Sequence, residues 1–276
     1  MPLTLFCMAL LLLVGLLFFK TAKDRGICNG DAKVAEWAAK VYEVAGKHTQ
    51  VTGLLAGFNI TVIILFTALG VERAHDDEDL LPVQVVTSLF MTSYFGYVAT
   101  GVLFAIVIER AGQHRLFLFV AACCLYYFSL TASFTALLPL VQLMNFESLE
   151  VIVLVMILAS LTGGYLSLVI PHHDLLRLRR RVLFCIPFAA LACTGLLHQG
   201  LMLFSGPDPT NILLQVVLPL SCVAVGGIFA TCMLTFYWQG LSTPKSFVGF
   251  AVAFTLLTLT LCLFIPLELV RLWFLS

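Results

Sequence analysis

Charged residues are scarce in this 276-residue chain: Asp, Glu, Lys and Arg make up only 11% of it, whereas an ordinary soluble domain has about 25%. Hydrophobic residues make up 61%, more than a soluble fold of this size could keep from water. The 15 basic and 15 acidic residues cancel, so no excess of positive charge points to nucleic acid as a partner. The composition predicts an integral membrane protein.

Motifs for catalysis, metal binding and cofactor binding are also missing from the sequence. Of nine cysteines, only Cys28 lies outside an apolar run, and no CxxC pair occurs. That pattern excludes a disulfide framework and a zinc or thioredoxin-like site. The sequence has no GxSxG, HExxH, P-loop or GxGxxG. The cluster His172, His173 and Asp174 has no helix-spaced partner that would complete a metal site. We therefore predict no catalytic residue, metal or cofactor.

Long apolar runs dominate the chain instead, and each approaches or exceeds the length that crosses a bilayer. Backbone groups in lipid must be hydrogen-bonded within the segment, so each run should be a helix. We predict an all-α, polytopic transmembrane bundle of about eight spans. The runs are Leu3–Phe19, Thr52–Gly70, Val83–Ile108, Leu116–Val141, Leu149–Ile170, Val182–Phe204, Ile212–Tyr237 and Phe247–Leu267.

Orientation follows from the loop between the fifth and sixth runs, which carries Arg177, Arg179, Arg180 and Arg181. Short loops rich in Lys and Arg stay on the cytoplasmic side. Placing this loop inside puts 13 of the 15 basic residues inside and only Arg73 and Arg271 outside. Both termini should then face away from the cytoplasm, in a membrane that the sequence does not identify. The four arginines should bind acidic lipid headgroups at the cytoplasmic face.

The N-terminal part divides into two predicted segments ahead of a seven-span bundle at 52–276. Basic residues follow the first apolar run rather than precede it, which favours an uncleaved signal-anchor helix at 1–19. A cleaved signal peptide, leaving seven spans, is the alternative. Residues 20–51 form a cytoplasmic segment with an amphipathic helix at 31–48, which Gly46 should help to end.

The apolar face of that amphipathic helix includes Val34, Trp37, Val41 and Ala45, and its polar face carries the pair Glu43 and Lys47. This pattern is typical of a helix that lies in the cytoplasmic membrane interface. The alternative is that residues 31–48 dock a membrane or cytoplasmic protein partner.

Near the predicted midplane lie hydroxyl groups and closely spaced glycines. Tyr97, Tyr127 and Thr162 fall at similar depth and could line a solute-binding cavity, since transporters place their sites at this level. Glycines at short spacing allow helices to approach closely, and simple packing is the alternative to a cavity. The predicted packing glycines are Gly53, Gly57, Gly163, Gly164, Gly226 and Gly227.

Two stronger polar side chains, Asn59 and His198, fall within predicted spans. A polar group in hydrocarbon is costly unless it has a partner. Their depths differ, so we do not expect them to meet. Gln215 lies at nearly the depth of His198, across a short loop, and is its expected partner. Interhelical hydrogen bonds that serve assembly are the simplest role for these groups.

Three functions fit these patterns. The first is a transporter or channel for a small uncharged or weakly polar solute, which the number of spans and the hydroxyl-lined midplane favour. The second is a non-catalytic scaffold or an accessory or signalling subunit that works by helix packing, lipid contact or partner docking. The third is an intramembrane lipid-modifying enzyme, which the missing acid, base and metal ligands disfavour.

Overall fold

The computed structural model describes residues 31–73, 77–109, 113–143, 147–176, 180–205, 226 and 244–274. Within those ranges the chain is all-helical, with six long helices. They are α1 (Asp31–Arg73), α2 (Asp77–Glu109), α3 (Gln113–Leu143), α4 (Glu147–Leu176), α5 (Arg180–Ser205) and α6 (Pro244–Phe274). The expected first run at 3–19 lies outside the described residues, as does the run at 212–237 except for residue 226.

Among the residues with described side chains, three segments are long and apolar enough to cross a membrane: Val41–Ala68, Val83–Glu109 and Leu118–Val141. Shorter apolar helical segments occupy Leu149–Tyr165, Cys185–Gly200 and Thr255–Val270, counting only residues whose side chains are described. An integral membrane protein is the assignment that these lengths and compositions support.

The surface of the bundle is apolar while its interior contains many hydroxyl groups. Large hydrophobic side chains such as Leu54, Ile64, Val151 and Phe188 are more than half exposed. A water-soluble protein rarely presents so much apolar surface. The buried polar residues include Asn59, Ser93, Thr100, Ser129, Ser133 and Thr135. This distribution suits a lipid surround.

Helix α3 lies at the centre of the described bundle and packs against α1, α2, α4 and α6, whereas α5 packs mainly against α6. The main core includes Leu89 and Phe104 of α2, Leu125 of α3 and Phe264 of α6, all fully buried. The connections α1–α2, α2–α3 and α3–α4 are only three residues long, so consecutive helices run antiparallel. This arrangement brings the middles of α1, α2 and α3 together.

The N-terminal half of α1 differs from the separate amphipathic helix that the sequence suggests. Residues 31–73 form one helix that continues through Gly46, so Gly46 does not end it. Glycine within a helix costs only about 1 kcal/mol relative to alanine, and the packing of its neighbours outweighs this. Val41 and Ala45 are buried in the main core. The side chains of 31–40, including Val34 and Trp37, are outside the described part of the chain.

The length of α1 has a consequence for its position in the membrane. A helix of 43 residues is about 64 Å long at ~1.5 Å per residue, roughly twice the hydrocarbon thickness of ~30 Å. One end must extend beyond the bilayer. The predicted Glu43–Lys47 pair is present, with Lys47 Nζ 2.6 Å from Glu43 Oε1, and both side chains are exposed.

Candidate functional site

A buried group of uncharged polar side chains joins α1, α2 and α3 near their middles. We call it the polar junction and define it as Asn59, Ser93, Tyr97, Ser129 and Ser133. Asn59 Nδ2 donates to Ser93 Oγ at 2.8 Å and to Ser133 Oγ at 3.2 Å. Ser93 Oγ donates to the Ser129 carbonyl at 2.6 Å and lies 2.5 Å from Ser133 Oγ. Three separate helices thus share one hydrogen-bond network.

Close packing between α2 and α3 holds this network together. A Cβ atom added to Gly96 would lie 2.0 Å from Ser129 Oγ and 3.2 Å from Ser129 Cβ. Only glycine allows that approach, and it brings the Ser129 carbonyl within reach of Ser93. Gly101 of α2 similarly lies against Thr52 of α1, with 3.3 Å between its added Cβ and Thr52 Oγ1.

Tyr97 is the member of the junction whose polar group lacks a hydrogen bond. Its side chain is 1% exposed, and its hydroxyl has no hydrogen-bond partner among the described residues. The hydroxyls of Ser133 and Ser93 lie close enough to act as hydrogen-bond partners of this group, although neither contact meets the usual distance and angle limits of a hydrogen bond. A buried hydroxyl left unpaired costs about 1–3 kcal/mol, so this group is a candidate for ligand binding.

A row of aromatic rings leads away from Tyr97 toward the N-terminal half of α1. The Tyr97 ring meets Tyr126 edge-on at a centroid distance of 6.0 Å. Tyr126 meets His48 at 5.1 Å, and His48 stacks on Phe104 at 5.4 Å. His48 Nδ1 is also buried with no described partner. Because Tyr126 and His48 are only partly buried, the row connects the junction to the bundle exterior.

The structure does not bring the predicted solute-binding residues Tyr97, Tyr127 and Thr162 into one cavity. Tyr127 contacts Tyr126 at 5.2 Å and lies against Gly164 of α4, whose added Cβ would be 3.0 Å from Tyr127 Cδ1. Thr162 is exposed and donates to the Leu158 carbonyl of its own helix at 2.8 Å. Of the three, only Tyr97 belongs to the polar junction. Depth along a helix can be counted from sequence, but the direction of a side chain depends on how the helix is rotated in the bundle.

Of the predicted packing glycines that the structure describes, one lies in a close helix contact and four do not. Gly164 is buried against Tyr127, as a packing glycine should be. Gly53 and Gly57 are exposed, and an added Cβ at Gly53, Gly57, Gly163 or Gly226 would meet no atom within 4 Å. None of these four makes a close helix contact with the described part of the bundle. Gly227 is not among the described residues. Among the described glycines, the closest contact is at Gly96, which is not one of the predicted packing glycines.

Asn59 and His198 lie in different parts of the bundle, as their depths led us to expect. His198 Nδ1 lies 2.5 Å from Glu268 Oε1 on α6. Glu268 is buried, whereas about a third of the His198 side chain is exposed. Glu268 follows directly after the last apolar run, so the sequence did not mark it as a residue within a span. Gln215, the partner expected for His198, lies outside the described residues.

The contacts between α5 and α6 also give their relative direction. Thr194 donates to the Thr260 carbonyl at 3.4 Å, and His198, four residues later, meets Glu268, eight residues after Thr260. Residue numbers increase together along the two helices, so α5 and α6 run parallel. Parallel neighbours are the arrangement expected when an odd number of crossings separates two spans.

Other residues selected from the sequence fall where side chains are not described. Arg177 and Arg179 lie outside the described residues, and Arg180 and Arg181 begin α5 without described side chains. Residues 172–174 belong to α4, again without side-chain description. Among residues with described side chains, no group of three or more His, Cys, Asp or Glu is placed to hold a metal ion.

The polar junction offers hydrogen bonds but no charge. Its polar groups are one amide, four hydroxyl side chains and the Ser129 backbone carbonyl, none of which is a strong acid, base or nucleophile without activation. Such a set can bind a neutral polar group or hold helices together.

No protein-family model matches the chain, and neither the comparison with curated proteins nor that with solved structures finds a match.

Proposed function

We propose that the chain is a membrane transporter or channel for a small uncharged or weakly polar solute, which binds at the polar junction. The observation that carries this proposal is the Tyr97 hydroxyl, which is buried beside Ser93 and Ser133 yet forms a well-aligned hydrogen bond with neither. Buried polar groups are nearly always paired, and exceptions call for an explanation. A solute that pairs with this hydroxyl would supply one.

The neutral character of the junction supports an uncharged solute. An ion moved from water into the hydrocarbon region needs a compensating charge or several strong ligands. The ionisable pair His198 and Glu268 is on α5 and α6, whereas the junction is formed by α1, α2 and α3. A neutral solute needs only hydrogen bonds, which the junction has.

The full architecture that we propose has eight spans, with 1–19 as a signal-anchor helix and 212–237 as the span between α5 and α6. The parallel direction of α5 and α6 supports a single crossing between them. The arginine loop at 177–181 would face the cytoplasm and bind acidic lipids, and both termini would lie on the other side.

Flux through proteoliposomes tests the proposal. Purified full-length protein would be reconstituted, and osmotic swelling followed by light scattering with water, ethylene glycol, glycerol and urea as probes. We expect at least one probe to enter faster than in protein-free liposomes. Tyr97→Phe should slow that entry, whereas Tyr127→Phe, a matched change outside the junction, should not. Equal rates with and without protein for every probe would contradict the proposal for these solutes.

A second candidate function, a non-catalytic membrane scaffold or accessory subunit, has support from a different feature of the same residues. Asn59, Ser93 and Ser133 hydrogen-bond one another across three helices, as residues that serve assembly do. If Tyr97→Phe changes neither flux nor melting temperature while Asn59 variants only melt earlier, this role is preferred.

A further inference from the structure

The outward side of α1 has a shallow groove, which we define by the exposed residues Gly53 and Gly57. A Cβ atom added to either glycine would meet no atom of the described bundle within 4 Å. Larger side chains flank the two glycines, with Leu54 75%, Phe58 56% and Ile60 38% exposed. Small residues between larger ones on a membrane helix let the backbone of a second helix approach closely. The groove therefore has the shape of a helix contact.

Contact with lipid alone does not explain two glycines at this position. Each glycine inside a helix costs about 1 kcal/mol relative to alanine, and lipid chains would cover alanine or leucine equally well. At Gly96 of α2 the missing side chain is used, because Ser129 of α3 fills the space. Gly53 and Gly57 are four residues apart and form the spacing at which membrane helices commonly meet. A helix lying in the groove would use them in the same way.

Charged side chains indicate where α1 enters the membrane. Glu43 and Lys47 form an exposed ion pair, which belongs outside the hydrocarbon. Gly101 of the antiparallel α2 faces Thr52, so Glu109 at the end of α2 lies level with residue 44, and it is exposed too. The edge of the hydrocarbon therefore lies close to Lys47. At ~1.5 Å per residue, Gly53 and Gly57 are then about 9 and 15 Å inside it, where an apolar helix can fill the groove.

The apolar run at 3–19 is connected to α1 by enough chain to reach this groove. The steps from residue 19 to residue 31 can span about 40 Å, at ~3.3–3.6 Å per residue. The part of α1 from residue 31 to Lys47 is about 24 Å long, and neighbouring helix axes lie about 8–10 Å apart. Even if this part stands perpendicular to the membrane, a direct connection needs only about 26 Å. The remaining length is sufficient for a turn.

The basic residue that follows the run gives its register against α1. Lys20 comes directly after the run and belongs at the same membrane surface as Lys47. The run would then pass α1 in the antiparallel direction. Gly15 precedes Lys20 by five residues, which places it about 7.5 Å inside the hydrocarbon, close to the depth of about 9 Å for Gly53. A small residue of the run thus comes level with a small residue of the groove.

We propose that the run at 3–19 docks as a helix in the groove of α1, antiparallel to α1, with Gly15 beside Gly53. The N-terminal run would then be a packed member of the bundle as well as an anchor. This inference rests on the proposed function only for the assignment of 1–19 as an uncleaved helix, and it does not depend on transport.

Photo-crosslinking of the full-length protein in liposomes tests the proposal. Phe58→p-benzoylphenylalanine places a reactive ketone beside the groove and keeps an aromatic ring there. After illumination and solubilisation, trypsin cleaves at Lys20, and mass spectrometry identifies the captured peptide. We expect a product of monomer mass in which residue 58 is joined to the peptide 1–20. A product of dimer mass would mean that a second copy fills the groove. That result, capture of 212–237 or capture of lipid alone would overturn the proposal.

Two controls separate docking from chance collision. Gly57→Leu fills the groove and should lower the yield of the 1–20 product at least about 5-fold, which corresponds to about 1 kcal/mol of overpacking. Gly163→Leu on α4 should leave the yield unchanged. Leu158→p-benzoylphenylalanine, at a position 63% exposed on α4, should not capture 1–20. Equal capture from positions 58 and 158, or a yield that Gly57→Leu does not change, would overturn the proposal.

The mass of the intact protein, measured first, separates this inference from the proposed architecture. A chain that lacks 1–19 would reject both the signal-anchor helix and its docking. An intact chain in which residue 58 captures no part of 3–19 would reject the docking alone. Neither result changes the flux expected in the osmotic swelling assay, because the groove lies on the opposite side of α1 from the polar junction.

Discussion

The polar junction of α1–α3 and the His198–Glu268 pair of α5–α6 place polar groups in the bundle under different conditions. The junction is neutral, deeply buried and shared by three helices. The pair is ionisable, joins two helices and leaves part of His198 exposed. It also lies toward the C-terminal ends of both helices, whereas the junction lies near the middles of three.

This difference follows from the cost of placing each kind of group in hydrocarbon. An amide or hydroxyl needs only hydrogen bonds, which neighbouring helices can supply at any depth. An ionisable pair is tolerated best near a helix end, where water can reach it. The stability of the junction should therefore depend on the close packing of its three helices. The stability of the α5–α6 pair should depend on whether His198 and Glu268 are both present.

The largest effect should come from filling the closest helix contact. Gly96→Leu places a side chain where Ser129 already lies 2.0 Å from an added Cβ, so the helices must separate and the Ser93–Ser129 bond must break. Overpacking of this kind costs typically 1–3 kcal/mol, and we expect ~3 kcal/mol. Melting temperature in detergent measures the loss.

The matched control for Gly96 is Gly163→Leu, since an added Cβ at Gly163 meets nothing within 4 Å. We expect a change of at most ~0.5 kcal/mol there. Equal destabilisation by the two variants would mean that Gly163 contacts a part of the chain or a second molecule beyond the described bundle.

The next largest loss of stability should come from removing hydrogen bonds of the junction. Asn59→Leu keeps a similar volume but removes both donors to Ser93 and Ser133, leaving buried hydroxyls with fewer partners. We expect a loss of ~2 kcal/mol, within the usual range of about 1–3 kcal/mol for unsatisfied buried groups. The control is Thr61→Val, because the exposed Thr61 hydroxyl donates to the Gly57 carbonyl of its own helix. An unchanged melting temperature for Asn59→Leu would argue against the network.

The sequence predicted the class of this fold better than the geometry of its sites. Hydrophobic runs predicted helices long and apolar enough to cross a membrane, and the described part of the chain contains three such segments. The full count of eight spans remains a prediction. The length of an apolar run predicts whether a helix forms, because backbone groups in lipid find hydrogen-bond partners only within a helix of this kind.

Site residues were harder to predict because contacts depend on helix rotation. Asn59 could be selected from the sequence because burying an unpaired amide in hydrocarbon costs free energy. Ser93 and Ser133 could not be selected, because many other hydroxyl side chains only bond the backbone of their own helix, as Thr100 bonds the Gly96 carbonyl. Gly96 has no second glycine four residues away, so it does not belong to a GxxxG pair. The break expected at Gly46 was wrong because Val41 and Ala45 before the glycine, and Ile63 and Phe66 after it, pack into the same core and hold the helix together on both sides.

A smaller loss of stability is expected when the His198–Glu268 pair of α5 and α6 is broken. Glu268→Leu leaves His198 without the carboxylate that it contacts, but the partly exposed imidazole can still reach water. We expect ~1 kcal/mol of destabilisation, below the 3–5 kcal/mol of a fully buried pair. Glu268→Gln retains an acceptor and should lose less. A double-mutant cycle with His198→Leu measures the coupling, and zero coupling would show that the contact does not contribute to stability.

The smallest effect is expected at Thr162, which the sequence placed in the solute site. Its side chain is exposed on α4, and its hydroxyl donates to the Leu158 carbonyl 2.8 Å away. Thr162→Val keeps the shape and removes a bond that the helix does not need, so stability should change by less than ~0.5 kcal/mol. Flux of any probe that Tyr97→Phe slows should also stay the same, because Thr162 does not belong to the polar junction. Melting temperature and swelling rate, measured on the same preparations as Tyr97→Phe, check both points. If Thr162→Val slows flux while its melting temperature holds, the solute path passes along the exposed face of α4, and the junction cannot be the whole of the site.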